Sequence, residues 1–423
     1  MRKGVRIMNS LNKLNVIELF AGVGGFRVGL ERANPDFFKT VLGNQWEPSR
    51  KAQDAYACYN KHFPGNNSNE DIANINENTF KNLNPDLVVG GFPCQDYSVA
   101  RSLSGEKGLQ GKKGVLFWEI ARVLEATNPK YVLLENVDRL LKSPSNQRGR
   151  DFAVMLATLR DLDYSVEWRM INAADYGMSQ RRRRVFIFAY KNSTVFNKKQ
   201  SQLDFFDIVF KNGFFAKPFP VKEEPYKKRI NQGKLPKDLL KISDEFSFNF
   251  HTAGIMKNGE IFTAHVDPVP EEPKTINDIL VDESSIDDKF YLTEEQIVKF
   301  NYLRGPKKIE RISATGHKYT FSEGGMSLID ELDKPGRTML TSEGTTNRSS
   351  HVIEVDGKKR FLTPIECERL NGFPDDWTKG MSDRMRYFCM GNALVIGLIE
   401  IMGKRIEDIE TNSNKNLILN KKT

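Results

Sequence analysis

The sequence predicts an α/β protein in which a doubly wound, mostly parallel sheet is followed by a second, smaller and irregular domain. Between residues 14 and 190, short strand-like runs alternate with stretches whose apolar residues recur at helical spacing. Strands separated by helices of this length form βαβ units, which give parallel strands with helices on both faces of the sheet. From 191 to 357 the chain is instead rich in Lys, Asn, Asp and Pro and shows poor periodicity.

Each element of this alternation follows from local composition along residues 14–190. The predicted strands are Asn15–Phe20, Thr40–Asn44, Leu87–Gly90, Tyr131–Leu134, Ser165–Asn172 and Val185–Tyr190. The predicted helices are Phe26–Ala33, Ser49–His62, Val115–Thr127 and Arg150–Leu162. The regular pattern returns at two further helices, Thr363–Leu370 and Ala393–Met402, before a polar tail at 405–423 that we expect to be frayed.

Composition limits the classes of protein to consider. At roughly 100–200 residues per domain, the 423 residues predict about two to three domains. No stretch approaches the ~20 consecutive apolar residues of a membrane span, and no secretory segment follows the basic N-terminus, so we expect a cytoplasmic protein. The 4 Cys form no CxxC pair and the 5 His never fall at ligand spacing, which disfavours disulfides and a bound metal. The net charge of +8 fits a polyanionic partner and equally an ordinary solvated surface.

The first candidate site is the glycine-rich segment Phe20–Phe26, which leads from the first strand into the first helix. Glycines let the backbone approach a ligand closely, and a helix N-terminus favours negative charge. The dinucleotide pattern GxGxxG needs a glycine where this chain has Arg27, so a smaller adenosyl ligand fits better than a dinucleotide. A tight turn with only a packing role is the alternative.

The second candidate is Cys94, in the segment Gly90–Ser98 that follows a predicted strand. Ligands of open α/β sheets bind beyond the carboxyl ends of the strands, so this cysteine is expected to face a substrate. An isolated cysteine is more often buried and unreactive. Here Pro93 fixes the backbone before it, and the glycine-rich, lysine-containing stretch 105–114 after it favours a loop that closes on an anionic substrate.

Two charged groups follow at later strands. Glu135 ends a hydrophobic strand, where a partly desolvated carboxyl with a raised pKa can act as an acid, and a simple helix-capping carboxylate is the alternative. Four arginines, 181–184, precede the last predicted strand, and alternation sends Arg182 and Arg184 to one face. A solvated charge run or a phosphate patch would explain them equally.

Taken in order, these segments resemble those of the DNA (cytosine-5)-methyltransferases. The resemblance rests on Phe20-Ala-Gly-x-Gly-Gly, Gly91-Phe-Pro-Cys-Gln, Glu135-Asn-Val, Gln180-x-Arg-x-Arg and Gly391-Asn-Ala. It covers residues 14–190 and 358–403, with an insert where that family keeps its target-recognition domain. It implies the fold of S-adenosylmethionine-dependent methyltransferases, with a catalytic domain at 1–190 completed by 382–423 and a target-recognition domain at 191–381.

The resemblance also implies a reaction. S-adenosylmethionine would give its methyl group to C5 of a cytosine flipped out of double-stranded DNA, leaving S-adenosylhomocysteine, and no metal would take part. Cys94 would add to C6 as the nucleophile and Glu135 would act at N3. Arg182 and Arg184 match the family positions that hold the base and the catalytic loop. These four residues are the expected catalytic set.

The resemblance places the donor-binding residues near the same sheet edge. They are Phe20, Gly22, Gly24, Gly25, Gln45, Trp46, Asp71, Ile72, Pro93, Leu116, Asn392 and Ala393. One position departs from the family, which often has a glutamate at the end of the second strand to take the ribose hydroxyls. This chain has Gln45 there, so either Gln45 or Glu47 could fill that role.

The resemblance says less about the target. Ser98, Thr338 and Thr341 are the expected DNA contacts, although hydroxyls that cap a turn would explain the two threonines equally well. The chain length and Gln45-Trp-Glu-Pro look like bacterial modification enzymes that partner GATC-cutting endonucleases. That implies an enzyme that acts as a monomer, and an endonuclease that acts on the same site without required contact. The alternatives are a tRNA cytosine-5 methyltransferase, which the long insert disfavours, and a non-catalytic DNA-binding protein, which the intact catalytic set disfavours.

Overall fold

The structure is a computed structural model that describes residues 13–48, 50–92, 116–223, 229–313 and 316–420. The described residues form two compact units. Unit 1 consists of those within Met1–Asn172, Arg183–Pro270 and Ile396–Thr423, and unit 2 of those within Ala173–Arg182 and Glu271–Val395. Residues 191–270 therefore lie in unit 1, whereas the predicted target-recognition domain begins at 191.

Unit 1 is built on a sheet of ten strands. In chain order they are β1 (Leu14–Leu19), β2 (Phe38–Asn44), β3 (Asn67–Ser68), β4 (Leu87–Gly91), β5 (Tyr131–Val137), β6 (Tyr164–Asn172), β7 (Arg183–Lys191), β8 (Ile230–Lys234), β9 (Ala253–Lys257) and β10 (Glu260–Ala264). Across the sheet the order is β3-β2-β1-β4-β5-β7-β6-β9-β10-β8. In this order, the first five strands, β3 to β5, are parallel to their neighbours. Every later pair, from β5–β7 to β10–β8, is antiparallel.

The predicted α/β class is confirmed, but the sheet is mixed rather than mostly parallel. Ten residues, 173–182, connect β6 to β7, and such a connection is shorter than a parallel crossover requires. The last three strands come from the region whose periodicity was too weak to predict them. β9 and β10 form a hairpin around Asn258 and Gly259, whose φ angles of 51° and 82° suit the tight turn that Asn-Gly favours.

The described residues of both units also form α-helices. In chain order they are α1 (Gly25–Ala33), α2 (Asp54–His62), α3 (Glu77–Asn82), α4 (Leu116–Thr127), α5 (Arg150–Asp161), α6 (Val195–Gln200), α7 (Phe205–Asp207), α8 (Leu239–Glu245), α9 (Glu294–Arg304), α10 (Pro364–Leu370), α11 (Asp383–Asn392) and α12 (Ile396–Asn420). Unit 2 contains α9 to α11 and two hairpins, β11 (Lys307–Ile312) with β12 (Lys318–Glu323) and β13 (Ile353–Val355) with β14 (Lys358–Arg360). We expected the tail at 405–423 to be frayed, and this is wrong for residues 405–420, because α12 continues to Asn420.

The core of unit 1 lies against the central strands. Leu87, Val88 and Val89 of β4 are all fully buried, as expected for a strand covered on both faces. Helix α12 packs closely on α1, because a Cβ added at Gly29 would lie only 2.5 Å from the side chain of Ile399. The last helix thus returns to pack on α1, the helix that follows β1.

No single described helix is long and apolar enough to cross a membrane. Helix α11 and the first part of α12 reach the required length and composition only as a bent pair. Both helices bury apolar side chains inside the protein, including Met390, Ile399 and Met402.

Candidate functional site

The glycine-rich turn stands at the carboxyl end of β1. Phe20, Gly22 and Gly24 have positive φ angles of 54°, 55° and 94°, so the chain reverses sharply before α1 begins at Gly25. The turn is tied to the neighbouring strand because the Ala21 amide donates to the carbonyl of Asn44 at 2.9 Å. A Cβ added at Gly22 would meet no atom within 4 Å, so open space lies beside this backbone. The turn therefore offers a ligand a close approach to the main chain.

The two candidate ribose ligands have different surroundings. The buried Gln45 accepts a hydrogen bond from the Gly22 amide at 2.7 Å through its side-chain oxygen. Glu47 instead forms an ion pair with Arg50 at 3.0 Å, and burial raises the pKa of its carboxyl. Half-buried Trp46 lies between them in sequence. Gln45 is thus the candidate that touches the glycine-rich turn.

An arginine from α4 holds the segment that carries Asp71 and Ile72. The Asp71 carboxylate accepts from the Ala73 amide at 3.1 Å, which caps a short 3-10 turn, and Ile72 is buried. Arg122 donates to the carbonyls of Ile72 at 2.7 Å and Ile75 at 3.1 Å. Leu116, the first residue of α4, is half-buried, so the same helix carries a predicted lining residue and the arginine that fixes this turn.

Glu135 and Arg184 form an ion pair at the end of β5, with 2.9 Å between Oε1 and Nε. Arg184 stands opposite Val137 in the β5–β7 register, which places it diagonally across from Glu135 on one face of the sheet. Glu135 also pairs with Gly91 of β4, and a Cβ at Gly91 would lie 3.2 Å from the Glu135 carboxylate. The glycine therefore leaves room for this carboxylate beside the strand that leads to the cysteine.

Asn136 connects β5 to the chain just ahead of the cysteine. Its side-chain amide is buried and donates to the carbonyl of Phe92 at 2.8 Å, while its side-chain oxygen accepts from the Val137 amide at 2.8 Å. These bonds fix the last residue before Pro93. The predicted residues Pro93, Cys94 and Ser98 themselves lie outside the described residues.

The arginine run alternates as predicted. Arg181 and Arg183 are exposed, Arg182 is buried and Arg184 is half-buried. Arg184 belongs to unit 1, whereas Arg182 belongs to unit 2 and donates to the carbonyl of Gly391 at 3.0 Å. The structure thus brings Arg184 into contact with Glu135.

In unit 2 the predicted threonine segment is held against the segment before β7. Thr338 donates through its hydroxyl to the carbonyl of Arg181 at 2.6 Å, and the Met339 amide donates to the buried side chain of Gln180 at 3.1 Å. Gly391 permits a close approach, since a Cβ there would lie 2.4 Å from the amide nitrogen of the exposed Thr341. The motif residues Asn392 and Ala393 follow at the end of α11, exposed and half-buried respectively.

Sequence reasoning missed a buried acid at the same strand end. Glu18 of β1 is 1% exposed and accepts from the Tyr59 hydroxyl at 2.9 Å and from the Arg27 amide at 3.3 Å. Burial raises the pKa of Glu18 to about 7, although these hydrogen bonds oppose the shift. Tyr59 reaches it because Gly43 of β2 has no side chain in the way, a Cβ there lying 2.3 Å from the tyrosine oxygen. A lone glutamate within an apolar strand was the available signal.

The sequence profile of the family described as C-5 cytosine-specific DNA methylase matches residues 14–408. The chain is 58% identical over 405 residues to Type II methyltransferase M.Sau3AI of Staphylococcus aureus, covering 96% of this chain and 98% of that protein. It is 27% identical to Type II methyltransferase M.HhaI of Haemophilus parahaemolyticus, covering 94% and 95%. Among solved structures, a DNMT2 mutant of Spodoptera frugiperda shares the fold with a TM-score of 0.58 at 15% identity, covering 94% of this chain and 100% of that one.

Proposed function

The chain belongs to the family of C-5 cytosine-specific DNA methylases, and we propose that it methylates C5 of one cytosine in a short duplex sequence through addition of Cys94 to C6. S-adenosylmethionine is the methyl donor that this family uses. The observation that carries the proposal is the ion pair of Glu135 and Arg184 at 2.9 Å. It lies beside Gly91, three residues before Cys94, at the sheet edge where α/β proteins bind ligands.

The nucleophile is needed because C5 of cytosine is a poor carbon nucleophile. Addition of the Cys94 thiolate to C6 forms an S–C6 bond and moves electron density to C5. C5 would then take the methyl group as the bond from the methyl carbon to the sulfonium sulfur breaks, which leaves S-adenosylhomocysteine. The C5 proton is afterwards removed, and the thiolate leaves C6 as the double bond is restored. The base must leave the duplex first, since neither face of C5–C6 is accessible within the stack.

Glu135 and Arg184 would act on the polar edge of the same base. A carboxyl placed at N3 donates a proton or a hydrogen bond as C6 is attacked, and positioned acids of this kind contribute about 10²–10⁴-fold. Arg184 holds the Glu135 carboxyl at 2.9 Å through Nε and donates to the Arg183 carbonyl at 2.7 Å through Nη1, and its Nη2 can donate to O2. Arg182, bound to the Gly391 carbonyl, would keep the chain before β7 in place.

The residues at the glycine-rich turn fit S-adenosylmethionine. The open space beside Gly22 admits a ligand against the backbone, and Gln45 and the Asp71–Ile72 turn flank the same strand ends. When bound, the donor supplies an activated methyl group on a sulfonium. The protein's part would be to hold its carboxylate and ribose at Phe20–Gly25 and its adenine between Ile72 and Leu116.

The contacts favour Gln45 over Glu47 as the ribose ligand. Gln45 uses its side-chain oxygen to accept from Gly22, which leaves its side-chain nitrogen to donate to a ribose hydroxyl. Glu47 is held by Arg50. A glutamine in this role makes one such bond fewer than a glutamate that takes both hydroxyls.

The named relatives suggest the biological setting. M.Sau3AI and M.HhaI are both named Type II methyltransferases, and we extend that role to this chain as the modification enzyme of a bacterial restriction-modification system. At 58% identity we expect it to share the target of M.Sau3AI. GATC is the target that the chain length and Gln45-Trp-Glu-Pro suggest. It would act on DNA as a monomer in the cytoplasm. Methylation of that site would protect host DNA from an endonuclease that cuts the same sequence without contacting this protein.

Bisulfite sequencing tests the function directly. Plasmid DNA is incubated with the protein and S-adenosylmethionine, and protected cytosines are then located on both strands. We expect complete protection at one cytosine of one short sequence and none with Cys94→Ala, while Cys389→Ala in α11 serves as a matched control that retains activity. Methylated adenine, or transfer to RNA in preference to duplex DNA, would refute the proposal.

A further inference from the structure

The chain leaves the sheet just after β2, at the segment that carries Gln45 and Glu47. The pairing of β2 with β3 ends at Asn44 and Ser68, because β3 has only two residues. The amide of Gln45 still donates to the carbonyl of Ser68 at 3.0 Å. The backbone groups that follow need partners other than a paired strand, since a buried main-chain group without a hydrogen bond is costly. Side chains supply these partners.

Asn69 binds the carbonyl of Gln45. This half-buried residue follows β3 directly, and its side-chain nitrogen donates to that carbonyl at 2.7 Å. The same nitrogen donates to the side-chain oxygen of Gln53 at 3.2 Å. Together with the bond to Ser68, these contacts hold both backbone polar groups of Gln45.

Gln53 binds the backbone of Glu47 through both ends of its side-chain amide. Its oxygen accepts from the Glu47 amide at 2.9 Å, and its nitrogen donates to the carbonyls of Glu47 and Arg50, each at 2.9 Å. A side-chain amide offers one oxygen acceptor and two N–H donors, and all of these are used here. Since Gln53 also accepts from Asn69, the two side chains bind each other and together hold residues 45–47.

These contacts decide how Gln45 presents its side chain. Its side-chain oxygen accepts from the Gly22 amide at 2.7 Å, so its side-chain nitrogen is left to donate to a ligand. A free glutamine side chain has rotamer freedom that binding must remove, and a side chain already held in place binds more tightly because that cost is smaller. A fixed backbone at Gln45 therefore favours a contact with the ribose.

We propose that Asn69 and Gln53 are positioning residues for the methyl donor, because they fix residues 45–47 so that the Gln45 side chain meets the ribose hydroxyls. This inference rests on the proposed function, since it takes Gln45 as the ribose ligand. The two residues act through Gln45 and do not touch the donor. They therefore control only the part of the donor affinity that depends on the ribose hydroxyls. One hydrogen bond of this kind contributes about two- to tenfold in affinity.

The test is isothermal titration calorimetry of the wild type, Asn69→Ala and Gln53→Met with two ligands. These are S-adenosylhomocysteine and its 2′,3′-dideoxy analogue, which lacks both ribose hydroxyls. Each variant should lose about three- to tenfold in affinity for S-adenosylhomocysteine. For the analogue, each should stay within about twofold of the wild type, because no hydroxyl contact is left to lose.

Asn67→Ala is the matched control. Asn67 is half-buried in β3, and its side-chain nitrogen also donates twice, to the carbonyl of Phe63 and to the side chain of Asn60. Neither partner belongs to residues 45–47, so both affinities of this variant should match the wild type.

A double variant shows whether Asn69 acts through Gln45. Once Gln45→Ala has removed the ribose contact, adding Asn69→Ala should cost no further affinity for S-adenosylhomocysteine. Additive losses would show that Asn69 acts independently of Gln45 and would overturn the inference.

Unchanged affinities in Asn69→Ala and Gln53→Met would also overturn the inference. So would an equal loss for both ligands, which would mean that the two residues hold the whole site. Equal binding of both ligands by the wild type would remove the ribose contact itself. Failure of the proposed function is distinguishable, because the wild-type protein would then bind neither ligand.

Discussion

Replacing Glu18 with glutamine should stabilise the protein at pH 8 while changing its stability little in acid. The carboxyl is fully buried at the end of β1, and burial raises its pKa from 4.5 to about 7. The native state therefore keeps this proton at pH values where the unfolded chain has lost it. Glutamine keeps an oxygen for the Tyr59 hydroxyl and has no proton to lose.

The magnitude follows from proton linkage. The unfolded state binds fewer protons than the native state between pH 4.5 and about 7, so the free energy of unfolding falls as pH rises through that window. At about 1.4 kcal/mol per pH unit the loss from Glu18 reaches about 3 kcal/mol and is complete above pH 7. Burial also raises the pKa of Glu167 to about 7, so Glu167 should lower the free energy of unfolding by a similar amount over the same window.

Urea unfolding at pH 4.5, 6, 7 and 8, followed by circular dichroism, measures the effect. The variant should gain about 3 kcal/mol relative to the wild type between the first and last pH. Glu167→Gln is the control for a buried carboxyl on another strand and should reproduce the same pH dependence. A difference between variant and wild type that stays constant across the series would refute a raised pKa at Glu18.

Three further predictions concern the site. The lysine in Arg184→Lys cannot keep both the Glu135 contact and the base contact, so the single-turnover rate should fall by at least about a hundredfold. The affinity for S-adenosylmethionine should not change, and an equal loss of rate and of this affinity would indicate a folding role. Arg122→Gln should weaken the binding of S-adenosylmethionine, measured by calorimetry, about tenfold and leave the DNA affinity unaltered. Arg160→Gln removes a similar pair of contacts, to the carbonyls of Pro236 and Lys237, and should leave the binding of S-adenosylmethionine unchanged. Gly391→Ala places a Cβ 2.4 Å from backbone and should lower the free energy of unfolding by about 1–3 kcal/mol; no change in denaturant midpoint would contradict that packing.

The parallel half of the sheet could be predicted because its signals are local. Buried strands such as Leu87–Gly91 are uninterrupted apolar runs, and each turns into a helix after glycine or polar residues. The chemistry-bearing residues stand at the ends of these strands. Their sequence positions alone therefore predict that Gln45, Glu135 and the Phe20–Gly25 turn share one sheet edge.

The antiparallel half could not be predicted from periodicity. Strand β8 (Ile230–Lys234) contains polar residues and a glycine, and it becomes a strand because β10 supplies its hydrogen bonds. The pair Asn258-Gly259 is a sequence signal for a hairpin turn, although the hairpin of β9 and β10 is absent from the predicted elements. The apolar neighbours of Glu18 in β1 indicate a buried acid, but only the fold shows that the Tyr59 hydroxyl from α2 donates to it.

Covalent trapping tests the central claim, that Cys94 adds to C6 of the target cytosine. A duplex with 5-fluorocytosine at the methylation site should form an adduct that survives denaturing electrophoresis, because fluorine cannot leave as a cation and the elimination stops. The adduct should require S-adenosylmethionine, be absent with Cys94→Ala and persist with Cys389→Ala. If the unmodified duplex is methylated while the fluorinated duplex gives no adduct, or if Cys94→Ala forms the same adduct, the mechanism is contradicted.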